Sequence, residues 1–118
     1  MKKLLFCIAL LLSWSVNAQS SDVRLEGTYG AWYFLTVPSA HSRDKDFLTE
    51  QGKLFCRDME TCYVLFWDVS DGAPQERMYS KKYADTILIM FSKSGLAGEQ
   101  VDFNCQIFTD VVDKEKCL

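Results

Sequence analysis

The stretch "LFCRDMETCYVLFWD" carries Cys56 and Cys62, with a charged turn between them and an aromatic run behind. Cys105 and Cys117 follow near the C-terminus, and Cys7 lies close to the N-terminus. Thiols can hold a metal, cycle as a redox couple or close a disulfide. Structural zinc sites favour two close C-x2-4-C pairs or added histidines. Here five and eleven residues separate the two pairs, and the chain has one histidine. A thioredoxin-like couple needs C-x-x-C at a helix N-terminus, which lowers the thiol pKa. Cys56 instead falls at the end of an expected helix, where the dipole disfavours a thiolate. An even count in a short exported chain reads as a disulfide framework. Composition does not choose among the three connectivities that Cys56, Cys62, Cys105 and Cys117 allow. We favour Cys56–Cys62 with Cys105–Cys117, because both pairs close short loops. Each loop is worth about 2–3 kcal/mol in the chain-entropy description.

His41 lies in "PSAHSRDKD" with Ser39, Ser42 and Asp44 near it in sequence. A nucleophile–base pair requires these groups to meet in space, so an exposed loop histidine is the expectation. "WDVSDG" resembles the start of a calcium loop, but the D-x-[DN]-x-[DN]-G spacing and the later glutamate are missing. A strand-ending turn is expected there. No G-x-S-x-G, glycine-rich phosphate loop or H-E-x-x-H occurs. A carboxylate pair is recognised by its separation and surroundings, which a sequence does not carry. The expectation is therefore a protein without catalytic residues, metal or cofactor.

What remains is surface. "WDVSDGAPQERMYS" joins a strand end to residue types enriched in interfaces, and we take Asp68, Asp71, Pro74, Arg77, Met78 and Tyr79 as the interaction residues. "PSAHSRDKD" is a second candidate segment. The competing reading makes Met78 and Tyr79 a hydrophobic staple for the helix that follows.

The compartment comes from the N-terminus. Lys2 and Lys3 precede an apolar run over 4–12, and "VNA" supplies small residues at an A-x-A-like site. This predicts a signal peptide over 1–18, cleaved after Ala18, and a periplasmic or secreted protein. Cleavage removes Cys7, Lys2 and Lys3. The 13 basic side chains become 11 against 16 acidic ones, and the formal charge moves from −3 to −5. That balance argues against nucleic acid and anionic membrane surfaces as partners, and suits a cationic protein partner. Oligomeric state has no sequence signal.

Period and turn residues define the elements. Residues 29–37, "YGAWYFLTV", read as a strand with Trp32, Phe34 and Thr36 on one face and Tyr33, Leu35 and Val37 on the other. Phe47, Leu48, Gln51, Leu54 and Phe55 form one helical stripe, capped by Ser42 or Asp44. Gly52 weakens that helix by about 1 kcal/mol and is expected to mark a close approach. Residues 61–69 read as a central strand and 70–74 as a turn. From Ser80, Tyr83, Ile87, Leu88, Met90 and Phe91 form a wide stripe that reads as a helix closed by Gly95 and Leu96. A strand over 86–91 is the alternative. Residues 99–108 alternate as a strand near an edge. Residues 19–26 read as a loose start and 109–118 as a tail pinned by Cys117.

The expected fold is thus a small single α+β domain over 19–118. It has β-α-β-α-β order, a mainly antiparallel or mixed sheet, helices packed mainly on one side, and disulfide staples. The expected function is an exported, non-enzymatic binding protein of the bacterial periplasm or exterior, such as an inhibitor or immunity protein against a secreted or wall-directed enzyme. The alternative is an accessory or structural component of a cell-envelope assembly, paired through an exposed strand edge within 101–108. A small hydrolase ranks last, for want of a catalytic pattern.

Overall fold

The computed structural model describes residues 22–75 and 80–118. They form a small α+β domain around a five-stranded mixed sheet. The strands are β1 (Arg24–Tyr29), β2 (Trp32–Val37), β3 (Cys62–Asp68), β4 (Ile89–Ser94) and β5 (Gly98–Phe103), in the spatial order β1-β2-β3-β4-β5. Helix α1 (Lys45–Phe55) crosses from β2 to β3, which are parallel. The other three pairs are antiparallel. Helix α2 (Lys81–Thr86) precedes β4.

The chain order is therefore β-β-α-β-α-β-β, and the three-strand expectation is corrected at both ends of the domain. β1 starts at Arg24, within the stretch taken as a loose start. Its burial is slight and its sequence polar, so it carries no apolar alternation of its own. A two-residue turn with Gly30 at φ 61° folds it onto β2, the conformation glycine supplies without steric cost. β4 is the second correction. The helix stops at Thr86, and 89–94 is a strand between β3 and β5. Ile89 and Phe91 are fully buried there. A run of apolar residues satisfies either period, and pairing on both sides decides for the strand. Gly95 and Leu96 sit in the three-residue β4–β5 hairpin loop, which ends on Gly98 at φ 72°. β5 stops at Phe103 because Asn104 turns the chain. Its amide donates to the Ile87 carbonyl (2.8 Å), and its side-chain oxygen accepts the Gln106 N–H (3.1 Å).

The alternation read from β2 and β3 holds, and each face has its own core. Leu35, Val37, Val64, Phe66, Ile89 and Phe91 pack beneath Leu48 of α1. Phe34, Leu65 and Trp67 pack on the other face with Ala73 and Tyr83. The two helices therefore lie on opposite faces, where one side was expected. Trp67 Nε1–H donates to the Tyr83 carbonyl (2.9 Å), which fastens α2 to its face.

Helix α1 is closed at both ends. The Asp44 carboxylate accepts the Phe47 N–H (3.1 Å) as N-cap. Lys93 Nζ donates to the Cys56 (3.1 Å) and Arg57 (3.2 Å) carbonyls, a cation at the negative end of the dipole. The Cys56–Cys62 disulfide then ties the helix end to the start of β3, with Cα atoms 5.8 Å apart. Cys105–Cys117 spans 5.4 Å between Cα atoms and holds the C-terminus beside β5. There Cys117 bridges Phe103, and the Leu118 N–H donates to the Phe103 carbonyl (2.8 Å). Both pairings are those favoured from the short loops. Two disulfides indicate an oxidising, non-cytoplasmic location. Among the described residues no helix is long and apolar enough to cross a membrane. Residues 1–18, read as a signal peptide, lie outside the described residues.

A candidate interface at the end of the parallel strands

The parallel pair β2–β3 ends at Val37 and Asp68, which are in register. Connections leaving the carboxyl ends of parallel strands diverge there and commonly frame ligand sites. Here they are the 38–44 turn and the loop 69–75, and one carboxylate joins them. Asp68 is only 7% exposed. Its Oδ1 accepts from Ser39 Oγ (2.7 Å), Ser70 N–H (2.9 Å) and Ser70 Oγ (2.7 Å). Its carbonyl accepts from the N–H groups of Asp71 (2.9 Å) and Gly72 (3.2 Å).

Burial alone would push the pKa of this carboxyl up. The hydrogen bonds from Ser39 and from the Ser70 backbone and hydroxyl, helped by the Ser42 hydroxyl, outweigh burial. They hold the Asp68 carboxyl well below the usual carboxylate range. Asp68 is thus an ionised anchor inside the fold. It binds the entry to α1 on one side and the start of the loop on the other.

The loop is held again at its far end. Gly27 lies so close beneath Gln75 that a Cβ built on it would come 2.1 Å from the Gln75 carbonyl oxygen. Pro74 is buried, and Ala73 packs against the Trp67 cluster. Beside Gly27 the β1–β2 register shifts, and Glu26 accepts a hydrogen bond from the buried Thr36 hydroxyl (3.0 Å). The segment therefore runs from the sheet end, across the second face, to the bulge in β1. Val69 and Ser70 are exposed and Asp71 is half-buried.

The residues singled out from sequence divide accordingly. Asp68 and Pro74 are buried and position the loop, and Asp71 lies on it. Arg77, Met78 and Tyr79 lie outside the described residues. Ser39, Ser42 and Ser70 are the supporting groups that sequence reading did not assign to Asp68. Their signal was Asp-x-Ser, the spacing of an aspartate accepting the N–H two residues on.

The histidine and serines of the first candidate segment do not meet as base and nucleophile. The Ser39 hydroxyl donates to Asp68, and that of Ser42 donates to the Ser39 carbonyl (3.0 Å). The His41 ring stacks on Phe47 at 4.3 Å between centroids. The four described cysteines are all in disulfides. What the arrangement can do chemically is present a fixed loop with a half-buried carboxylate. No family model, curated protein or solved structure matches the chain.

Proposed function

We propose that the protein is an exported, non-enzymatic binding protein that blocks a secreted or wall-directed enzyme through the loop 69–75. The observation that supports this reading is the Asp68 anchor, with three hydrogen bonds on one oxygen and two on its carbonyl. A loop fixed before contact loses less conformational freedom on binding, which favours affinity. Two disulfides suit a scaffold that works in an oxidising compartment, and removal of a signal peptide over 1–18 completes the proposal. The acidic balance suits a cationic target by steering the encounter.

Titration of a cationic wall hydrolase such as lysozyme with the oxidised protein tests the reading. A one-to-one complex and stoichiometric loss of hydrolysis are expected, with affinity reduced about tenfold by Asp71→Lys. Failure to bind any member of a panel of cationic wall hydrolases overturns it. The accessory-component reading draws on a different feature, the open edge of β5. Recovery of a multi-subunit envelope assembly, in place of a single enzyme, would favour it.

A further inference from the structure

β5 is an edge strand, and its backbone parity shows what it leaves open. The Asn104 N–H points inward and donates to the Leu88 carbonyl (2.9 Å), whereas the Phe103 carbonyl points outward and accepts from Leu118 (2.8 Å). In an antiparallel strand the N–H and C=O of one residue share a side, and the side alternates along the chain. Val101 and Glu99 therefore direct their backbone groups outward, as Phe103 does. The C-terminus covers Phe103 alone. Among the described residues nothing pairs with the outward groups of Val101 and Glu99.

Beside this edge runs a groove of about 560 Å³, bounded by Thr49 of α1 and by Asp113, Glu115 and Lys116 of the C-terminal segment. The Cys105–Cys117 disulfide fixes that far wall. The charges in the groove are Glu99, Asp113 and Glu115 against Lys116. Glu99 sits directly across the β4–β5 ladder from Lys93, its natural partner. Lys93 instead caps α1 through the Cys56 and Arg57 carbonyls, and among the described residues Glu99 makes no ion pair. The nearby Lys45 is likewise committed, to Asp110.

We propose that this edge accepts an extended, lysine- or arginine-bearing segment of a protein partner as a sixth strand beside β5. Main-chain hydrogen bonds to Glu99 and Val101 hold it, and the carboxylates of Glu99, Asp113 and Glu115 select its charge. A second copy of this chain is disfavoured, because edge-to-edge pairing brings two sets of these carboxylates together. The inference rests on the reading of the protein as a binding module. It uses a surface remote in sequence from the loop 69–75.

The probe is a blocked six-residue peptide of alternating lysine and valine. Its controls are a glutamate–valine peptide and a lysine–valine peptide N-methylated at every residue, which leaves neither edge able to pair. The oxidised protein is titrated with each while amide exchange at Glu99 and Val101 is followed by NMR. The lysine–valine peptide is expected to slow both amides, and the two controls to leave them unchanged. Combined Glu99→Lys and Glu115→Lys should weaken binding about tenfold or more. No slowing at the solubility limit of the lysine–valine peptide overturns the proposal. So does equal binding of the N-methylated peptide, which would show charge adhesion without strand pairing. Protection that rises with protein concentration alone overturns it in favour of a second copy. Val101→Pro removes the outward N–H, and loss of peptide binding in the folded variant supports the proposal. Should that variant unfold, the N-methyl comparison on the unaltered protein still decides. Enzyme inhibition through the loop with a silent edge would sink this inference and leave the functional reading standing.

Discussion

Gly52 of α1 lies directly on the ring of Phe91 in β4. A Cβ built on it would come 2.5 Å from Phe91 Cγ and 2.7 Å from its Cβ. The missing side chain is what lets the helix settle on the sheet. Alanine at this position gains about 1 kcal/mol in helix propensity, but overpacking costs about 1–3 kcal/mol. Gly52→Ala should therefore lower the urea midpoint despite the better propensity. Phe91→Leu should show positive coupling with it in a double-mutant cycle, since a smaller side chain makes room.

Gly27 makes the corresponding contact on the other face, against backbone in place of a flexible ring. Gln75 cannot move aside without lifting the loop. Gly27→Ala should therefore free the segment 69–75 and speed its cleavage in limited proteolysis. Cleavage within α1 should be unaffected.

The acidity of Asp68 carries a pH dependence of definite sign. Its folded value is depressed below the unfolded one, so between the two the unfolded chain binds more protons. The contribution to stability is complete above the ordinary carboxylate value near 3.9 and is lost as pH falls through the depressed folded value. Denaturant midpoints of the native protein should therefore fall below about pH 4, and Asp68→Asn should flatten that slope. Asp68→Ala should cost about 1–3 kcal/mol at neutral pH, because the donors of Ser39 and Ser70 lose their acceptor.

The two disulfides should separate by what they release. Cys105→Ser with Cys117→Ser should cost about 3 kcal/mol in chain entropy, and hydrogen exchange should rise over the last ten or so residues and at Phe103. Cys56→Ser with Cys62→Ser closes the shorter loop and should cost about 2 kcal/mol. It should act on the end of α1, with the β5 edge unchanged.

Much of this architecture was legible as local pattern. The short loops between cysteines pointed to both disulfides, because closing few residues needs little from the rest of the fold. Alternation in β2 and β3 marked two buried faces, and the stripe from Phe47 to Phe55 with its Asp44 cap marked α1. Even the close approach at Gly52 was visible as a glycine in a helical stripe, although its partner was not.

Other features depended on neighbours distant in sequence. Residues 89–94 contain apolar side chains that fit a helix or a strand, and the choice fell to the ladders with β3 and β5. β1 is polar and slightly buried, so its existence depends on β2 and the turn at Gly30. Asp68 looked like surface in a polar loop and is an anchor, because serines 29 residues before it and two after it converge on one oxygen. Among the described residues Glu99 lacks an ion pair with Lys93 across the ladder, because Lys93 is drawn away to a helix end brought close by folding. Periodicity, caps and short loops are properties of adjacent residues and can be read from the chain itself. Which strand pairs with which, and which ion is left without its neighbour, are settled when distant segments compete for the same partners.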